Sequence, residues 1–326
     1  MAVSTTPEQW ESVLDITEQT RTNSSLDPVD ETPGEFAYQY WRETLSLVIA
    51  LVGLVGNSIV LWLLGFRIQR SPFSVYILNL AAADALLLGS YSGFCVGEIV
   101  AHLYTSGLRI LWSCILYMSH CVGLSLLAAI STERCLSGLF PIWYRCHQPK
   151  YTSATVCAVL WALQGLYWGA LVALNLLSNF HVFQDFYLSL PFIGIGWFSL
   201  LTCVLCISSL TLVLSIQFSS QRRRPPRLYL LILLTVLVFL LCGLPLGIIG
   251  SINSFSYTIV ISNGSLRLLA CVNSSANPFI YFFLGSQWHK RGREPLRVVL
   301  QRALGEEQVG GQVGRRDTSH PNTLYQ

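Results

Sequence analysis

The chain carries seven apolar stretches, near residues 44–66, 73–100, 107–138, 153–176, 186–217, 227–254 and 260–284, each long enough for a helix to cross a bilayer. A hydrocarbon core about 30 Å thick takes ~20 mostly apolar residues per helical crossing. Lipid offers backbone amides no hydrogen-bond partner, so each crossing must satisfy its own and is expected to be helical. Only 11% of the residues are charged and 52% are hydrophobic, whereas soluble domains carry ~25% charged residues. The expected fold class is an all-α membrane protein, a seven-transmembrane helix bundle over residues 44–285.

Charge sets the orientation. Arg67, Arg70, Arg145, Lys150, the Arg222 to Arg227 run and Lys290 to Arg302 fall in alternate gaps or the tail. Basic residues stay on the cytoplasmic side, so the N-terminus is expected outside and the C-terminus inside, in the plasma membrane. Residues 1–43 form an acidic, extracellular head: Glu8, Glu11, Asp15, Glu18, Asp27, Asp30, Glu31, Glu35 and Glu43 all lie there. No basic start followed by an apolar run opens it, so the first apolar segment is expected to target the chain. Asn23-Ser24-Ser25 is a glycosylation acceptor pattern on that outer side. Residues 286–304 alternate bases with Leu and Val around Pro295 and read as a short amphipathic helix along the inner leaflet, or merely as a basic juxtamembrane tail. Residues 305–326 are rich in Gly, Gln and charge and are expected to be disordered. The bases are too scattered for a nucleic-acid stripe, and eight of the ten cysteines lie in apolar segments rather than in a disulfide framework.

A charge at mid-membrane costs ~2.5–3.5 kcal/mol on insertion scales, so each polar residue in these stretches needs a partner or a task. They are few: Asn57 in the first, Asp84 in the second, Glu133-Arg134 ending the third, and Asn273, Ser274, Ser275 and Asn277 in the seventh. Asp84 is the carboxylate nearest a helix centre. If helices one, two and seven meet, Asn57, Asn273, Ser274 and Asn277 surround it; otherwise these residues act as separate interhelical hydrogen bonds. Pro245 and Pro278 each remove a backbone hydrogen bond within a long helix and are expected to bend it.

Asn57 in GLVGN, Asp84 in LNLAAAD, Glu133-Arg134-Cys135, Trp161, Pro245 and Asn277-Pro278-x-x-Tyr281 occur in order over residues 44–304. This series resembles the helix signatures of rhodopsin-like (class A) G-protein-coupled receptors. STERCLS with FPIWYRC, and NSSANPFIYFFLGS, resemble the Mas-related receptors of sensory neurons and mast cells. The resemblance implies a receptor for an extracellular small amphiphile or peptide that activates heterotrimeric G proteins of the Gq or Gi class, with roles in itch and nociception and arrestin as a further partner. It implies that Glu133 holds Arg134 while the bundle is closed and that Arg134 is released on activation. Cys135, Phe239, Gly243, Pro245, Asn277, Pro278 and Tyr281 complete that switch, and the Asp84 cluster becomes a sodium site. No cofactor and no catalysis are implied.

The chain also departs from the pattern. Arg109 stands where the family has its helix-three cysteine, and Asn175 and Tyr187 stand near the positions of an alternative bridge between helices four and five. The tryptophan toggle before Pro245 is Gly243, and Pro225-Pro226 replaces the carboxylate that clamps Arg134. Measurable ligand-free activity is therefore expected. Ligand candidates at the outer ends are Glu98, Arg109, Trp112, Tyr117, Trp168, Asp185, Phe186, Tyr257 and Arg267: aromatics with a few charges, suited to an amphiphile. Glu98 either binds a cationic ligand or pairs with Arg267. The competing class is a secondary transporter or channel with Asp84 as its ion site, though no internal repeat or pair of broken helices marks one. A membrane enzyme lacks a nucleophile motif or a histidine cluster.

Overall fold

Proline opens two of the helices, where its missing N–H leaves no donor unmet and its fixed φ suits a first turn. The computed structural model describes residues 33–68, 71–99, 106–140, 142, 151–177, 181–218, 227–248, 264–286 and 295–304. Helix α1 spans Pro33–Trp62, α2 Pro72–Ile99, α3 Ser106–Leu139, α4 Thr152–Leu177, α5 His181–Phe218, α6 Arg227–Val238, α7 Gly264–Ser286 and α8 Leu296–Ala303. Among the described residues, seven helical spans, the sixth running on from α6 to Ile248, are long and apolar enough to cross a membrane.

The edges differ from the sequence reading in three places. The first helix starts at Pro33, well before Thr44, because nothing in GEFAYQYWRE breaks a helix and polar residues continue it beyond the apolar run. For the same reason α5 starts at His181 rather than near residue 186. Helix α8 is described from Leu296, after Pro295, rather than from residue 286, where α7 ends; residues 287–294 lie outside the described residues. Asn23, the 305–326 tail, the end of the expected sixth segment and Tyr257 lie outside the described residues.

Two helices widen into π-helical turns, α1 at its end and α6 within its course. After α1, Leu63–Arg67 forms a π-helical turn closed by the Ile68 N–H on the Leu63 carbonyl at 2.9 Å. After α6, Phe239–Gly243 forms a second one, closed by the Leu244 N–H on the Phe239 carbonyl, and helix resumes over 244–248. Pro245 offers no amide to the turn before it, and the wider turn accommodates that loss. The expected bend at Pro245 therefore takes the form of a π-bulge. Pro278 lies inside α7 and Pro191 inside α5.

Helix α3 is the central rod, packing on α2, α4, α5 and α6. Two-thirds of its apolar window (67%) is enclosed by protein, against 11% for α4, whose remaining side chains suit lipid. The main core runs from Val60 and Leu64 through Tyr76, Leu80, Leu126 and Leu205 to Phe239 and Tyr281, all buried. The nine cysteines among the described residues are free.

Helix α8 folds back on α7 through Val299, Leu300 and Ala303, which are buried, while Leu296 and Val298 stay exposed. Arg302 Nη1 donates to the Gly285 carbonyl at 3.4 Å. A Cβ on Gly285 would collide with the Val299 carbonyl oxygen. Backbone cannot yield as a flexible side-chain tip can, so Gly285→Val is expected to displace α8 and destabilise the chain by about 1–3 kcal/mol. Faster amide hydrogen exchange over residues 296–303 would register it; unchanged exchange there would contradict this packing.

Candidate functional site

Three groups of polar or aromatic side chains lie along the bundle. The middle one is built from α1, α2, α3, α6 and α7. Asn277 Nδ2 donates to Asp84 Oδ2 at 2.7 Å, joining α7 to α2. Asn57 Nδ2 donates to the Ser274 and Gly53 carbonyls at 3.0 Å, joining α1 to α7, and Ser275 Oγ donates to the Ile49 carbonyl at 3.1 Å. Asp84 is 4% exposed. Helices one, two and seven thus meet. Asp84, Asn273, Ser274 and Asn277 face a small, roughly water-sized void shared with Ser119, His120 and Phe239. Asn57 stands beside that void rather than on its wall, and its Oδ1 accepts no hydrogen bond.

His120 is a member of this group that the sequence did not single out. Its ring stacks on Phe239 with centroids 5.7 Å apart, and its Nε2 is buried without a partner. Its position about four helical turns before Arg134 places both on one stripe of α3, a periodicity that would have found it. Gly243 explains how Phe239 comes so close. A Cβ there would lie 2.7 Å from Phe239 Cδ2 and 3.3 Å from Asn273 Cγ, so only glycine admits both.

At the inner end, Arg134 packs on an aromatic ring of α2. Arg134 Cζ lies 4.4 Å above the centre of the Phe73 ring, and its Nε has no hydrogen-bond partner. Glu133 turns toward the Tyr76 hydroxyl, near Ser153. Neighbouring residues on a helix point about 100° apart, so adjacency in sequence does not make them face each other. Cys135 is half-buried, and Tyr281 is fully buried with its hydroxyl unpartnered. Trp161 Nε1 donates to Asn79 Oδ1 at 3.1 Å, fixing α4 to α2.

The outer end holds two clusters. Tyr117 stacks on Trp168 at 5.7 Å, and Tyr167 meets Trp168 edge-on at 5.5 Å. Trp112 and Arg267 lie elsewhere, around a cleft with Tyr91, Phe94, Ser113 and Leu116. Arg109 is exposed. The side chains of Glu98, Asp185 and Phe186 lie outside the described residues. Among the described residues, the carboxylate beside Arg267 is Glu43 of helix one, at 3.1 Å. Glu43 sits at the edge of the first apolar run and reads there as part of the acidic head. No azimuthal signal in the sequence points it at α7.

Residues 56–281 match the family model described as 7 transmembrane receptor (rhodopsin family). Among curated proteins, the chain is 42% identical to human Mas-related G-protein coupled receptor member X1, over 89% of this chain and 93% of the relative. It is 43% identical to member D of Macaca fascicularis, over 81% of this chain and 85% of that one. To member X2 of Macaca mulatta it is 45% identical, over 80% and 82%.

Proposed function

The chain belongs to the Mas-related G-protein-coupled receptors of the rhodopsin family, and from that membership we propose how it signals. A small amphiphile or peptide enters from the N-terminal side among Trp112, Tyr117, Trp168 and Arg267. The bundle rearranges about the Asp84 void and the Phe239–Gly243 turn. Arg134 then leaves Phe73 and lines an inner cleft that receives a G protein of the Gq or Gi class. Arrestin is a further partner at the same face, and itch or nociception the physiological setting.

The observation that carries this reading is the bond between Asp84 and Asn277, 193 positions apart in sequence, beside a void bordered by Phe239 in the turn after α6. A void next to a polar cluster leaves room for two arrangements of the same helices, which a close-packed core does not. A ligand shifts such an equilibrium by its differential affinity for the two arrangements. A transporter would instead use Asp84 as a site that opens alternately to each side.

Nucleotide exchange separates the two. Membranes bearing the chain are expected to raise GTP-analogue binding by purified Gq or Gi above that of empty membranes, without added ligand. No rise with either protein, at demonstrated surface expression, would count against the receptor reading. An epitope tag placed before Thr44 is expected to label on intact cells; labelling only after permeabilisation would invert the proposed orientation.

A further inference from the structure

Arg267 is 8% exposed, and its Nη2 lies 3.1 Å from Glu43 Oε1. That contact is poorly aligned: Glu43 Oε1 accepts no hydrogen bond, and Arg267 Nε and Nη1 have no acceptor at all. The other Glu43 oxygen is taken by the Tyr91 hydroxyl, which donates to Oε2 at 3.0 Å. A buried cation with unmet donors is costly. The cost is relieved where another group supplies the missing oxygens.

The guanidinium borders a small cleft between α2, α3 and α7, walled by Tyr91, Phe94, Trp112, Ser113 and Leu116. Its Cζ lies 5.1 Å from the centre of the Phe94 ring. The cleft is small, far below the size of pockets that enclose whole drug-sized ligands, so only the end of a molecule can reach the guanidinium through it. Its walls are mostly apolar and its unsatisfied polar groups are donors on a cation.

We propose that this cleft binds the carboxylate end of an amphiphilic ligand. Arg267 Nε and Nη1 donate to the carboxylate, and Trp112 and Phe94 flank the apolar stem. Charge-assisted bonds of this kind are the strong ones. Glu43 is the resident rival: it holds Nη2 and its charge opposes an arriving anion, so the site is tuned to ligands that displace or outbid one misaligned carboxylate. The proposal deepens the receptor reading by naming the ligand's chemistry.

The test is melting of the purified full chain in neutral detergent, with 3-phenylpropionate and its uncharged amide as matched probes. This readout needs no G protein, so its failure and a failure of nucleotide exchange are separate results. The acid is expected to raise the melting temperature with concentration while the amide does not. Arg267→Gln is expected to raise the half-maximal concentration of the acid about tenfold or more. Glu43→Gln, which keeps the shape and removes the rival charge, is expected to lower it about threefold or more. Equal stabilisation by acid and amide would overturn the proposal, as would an acid response that survives Arg267→Gln unchanged. If Arg267→Gln does not fold, the Glu43→Gln comparison decides, and an unchanged or weaker response there overturns it. In lipid nanodiscs, stabilisation by phosphatidylserine that Arg267→Gln removes, with no response to the acid, would assign the site to a lipid headgroup instead and likewise overturn it.

Discussion

Arg134→Ala is expected to bring ligand-independent nucleotide exchange down to background, while Phe73→Leu raises it about two- to thirtyfold. The opposite signs follow from what holds Arg134 at rest. Its guanidinium lies 4.4 Å above the Phe73 ring and its Nε lacks a partner. A cation–π contact is worth about 0.5–2 kcal/mol depending on desolvation, whereas breaking a buried ion pair costs about 3–5 kcal/mol. The resting hold is therefore the weaker kind. Phe73 is buried on α2 and Arg134 half-buried at the end of α3, so removing the ring frees the guanidinium without touching it. Removing the guanidinium takes away the group proposed to meet the G protein. Exchange rates at matched surface levels check both. Equal basal rates in the parent, Arg134→Ala and Phe73→Leu would refute this arrangement, and a fall in Phe73→Leu would show that the ring supports the active form instead.

The physical character of each signal decides how much of this was legible in the sequence. The seven crossings are a matter of length and hydropathy, and the structure draws them nearly where the apolar runs lie. Asp84, Asn273, Ser274 and Asn277 stand out because polar groups are rare in oil, and the structure brings them to one void. Pairing geometry was less accessible. Glu133 and Arg134 are adjacent in the chain yet face different neighbours, and Glu43 finds Arg267 across more than two hundred residues. Both outcomes depend on helix rotation, which hydropathy does not fix: the α2 window is apolar on nearly every side. The two π-helical turns were hidden for a related reason. Pro245 announces a lost hydrogen bond, but whether the helix kinks or widens its turn is settled by what packs against it. His120 was passed over as one of several scattered histidines, although its helical phase with Arg134 was available.

Gly243 offers the sharpest test of that widened turn. Gly243→Ala is expected to destabilise the purified chain by about 1–3 kcal/mol, the usual range for overpacking a filled interior. The added methyl would lie 2.7 Å from Phe239 Cδ2 and 2.9 Å from Cε2. That ring is stacked on His120, at 5.7 Å, and is 1% exposed, so it can yield only a little, toward the small void it borders. In an ordinary helix the same substitution is favourable by roughly 0.5–1 kcal/mol, because glycine loses more backbone entropy on folding. The sign of the change thus reports whether the contact exists. A double-mutant cycle isolates it: in a Phe239→Leu background, where the colliding ring atoms are gone, Gly243→Ala is expected to cost little or to stabilise. Melting temperatures of the four proteins supply the numbers. Equal penalties in both backgrounds would mean that the methyl meets something other than Phe239. The same cycle read by nucleotide exchange links packing to signalling, since the ring that Gly243 admits is the one that closes the Asp84 void on the α6 side. A methyl that pushes this ring toward the void is expected to shift the balance between the two arrangements of the bundle, and Phe239→Leu to cancel that shift.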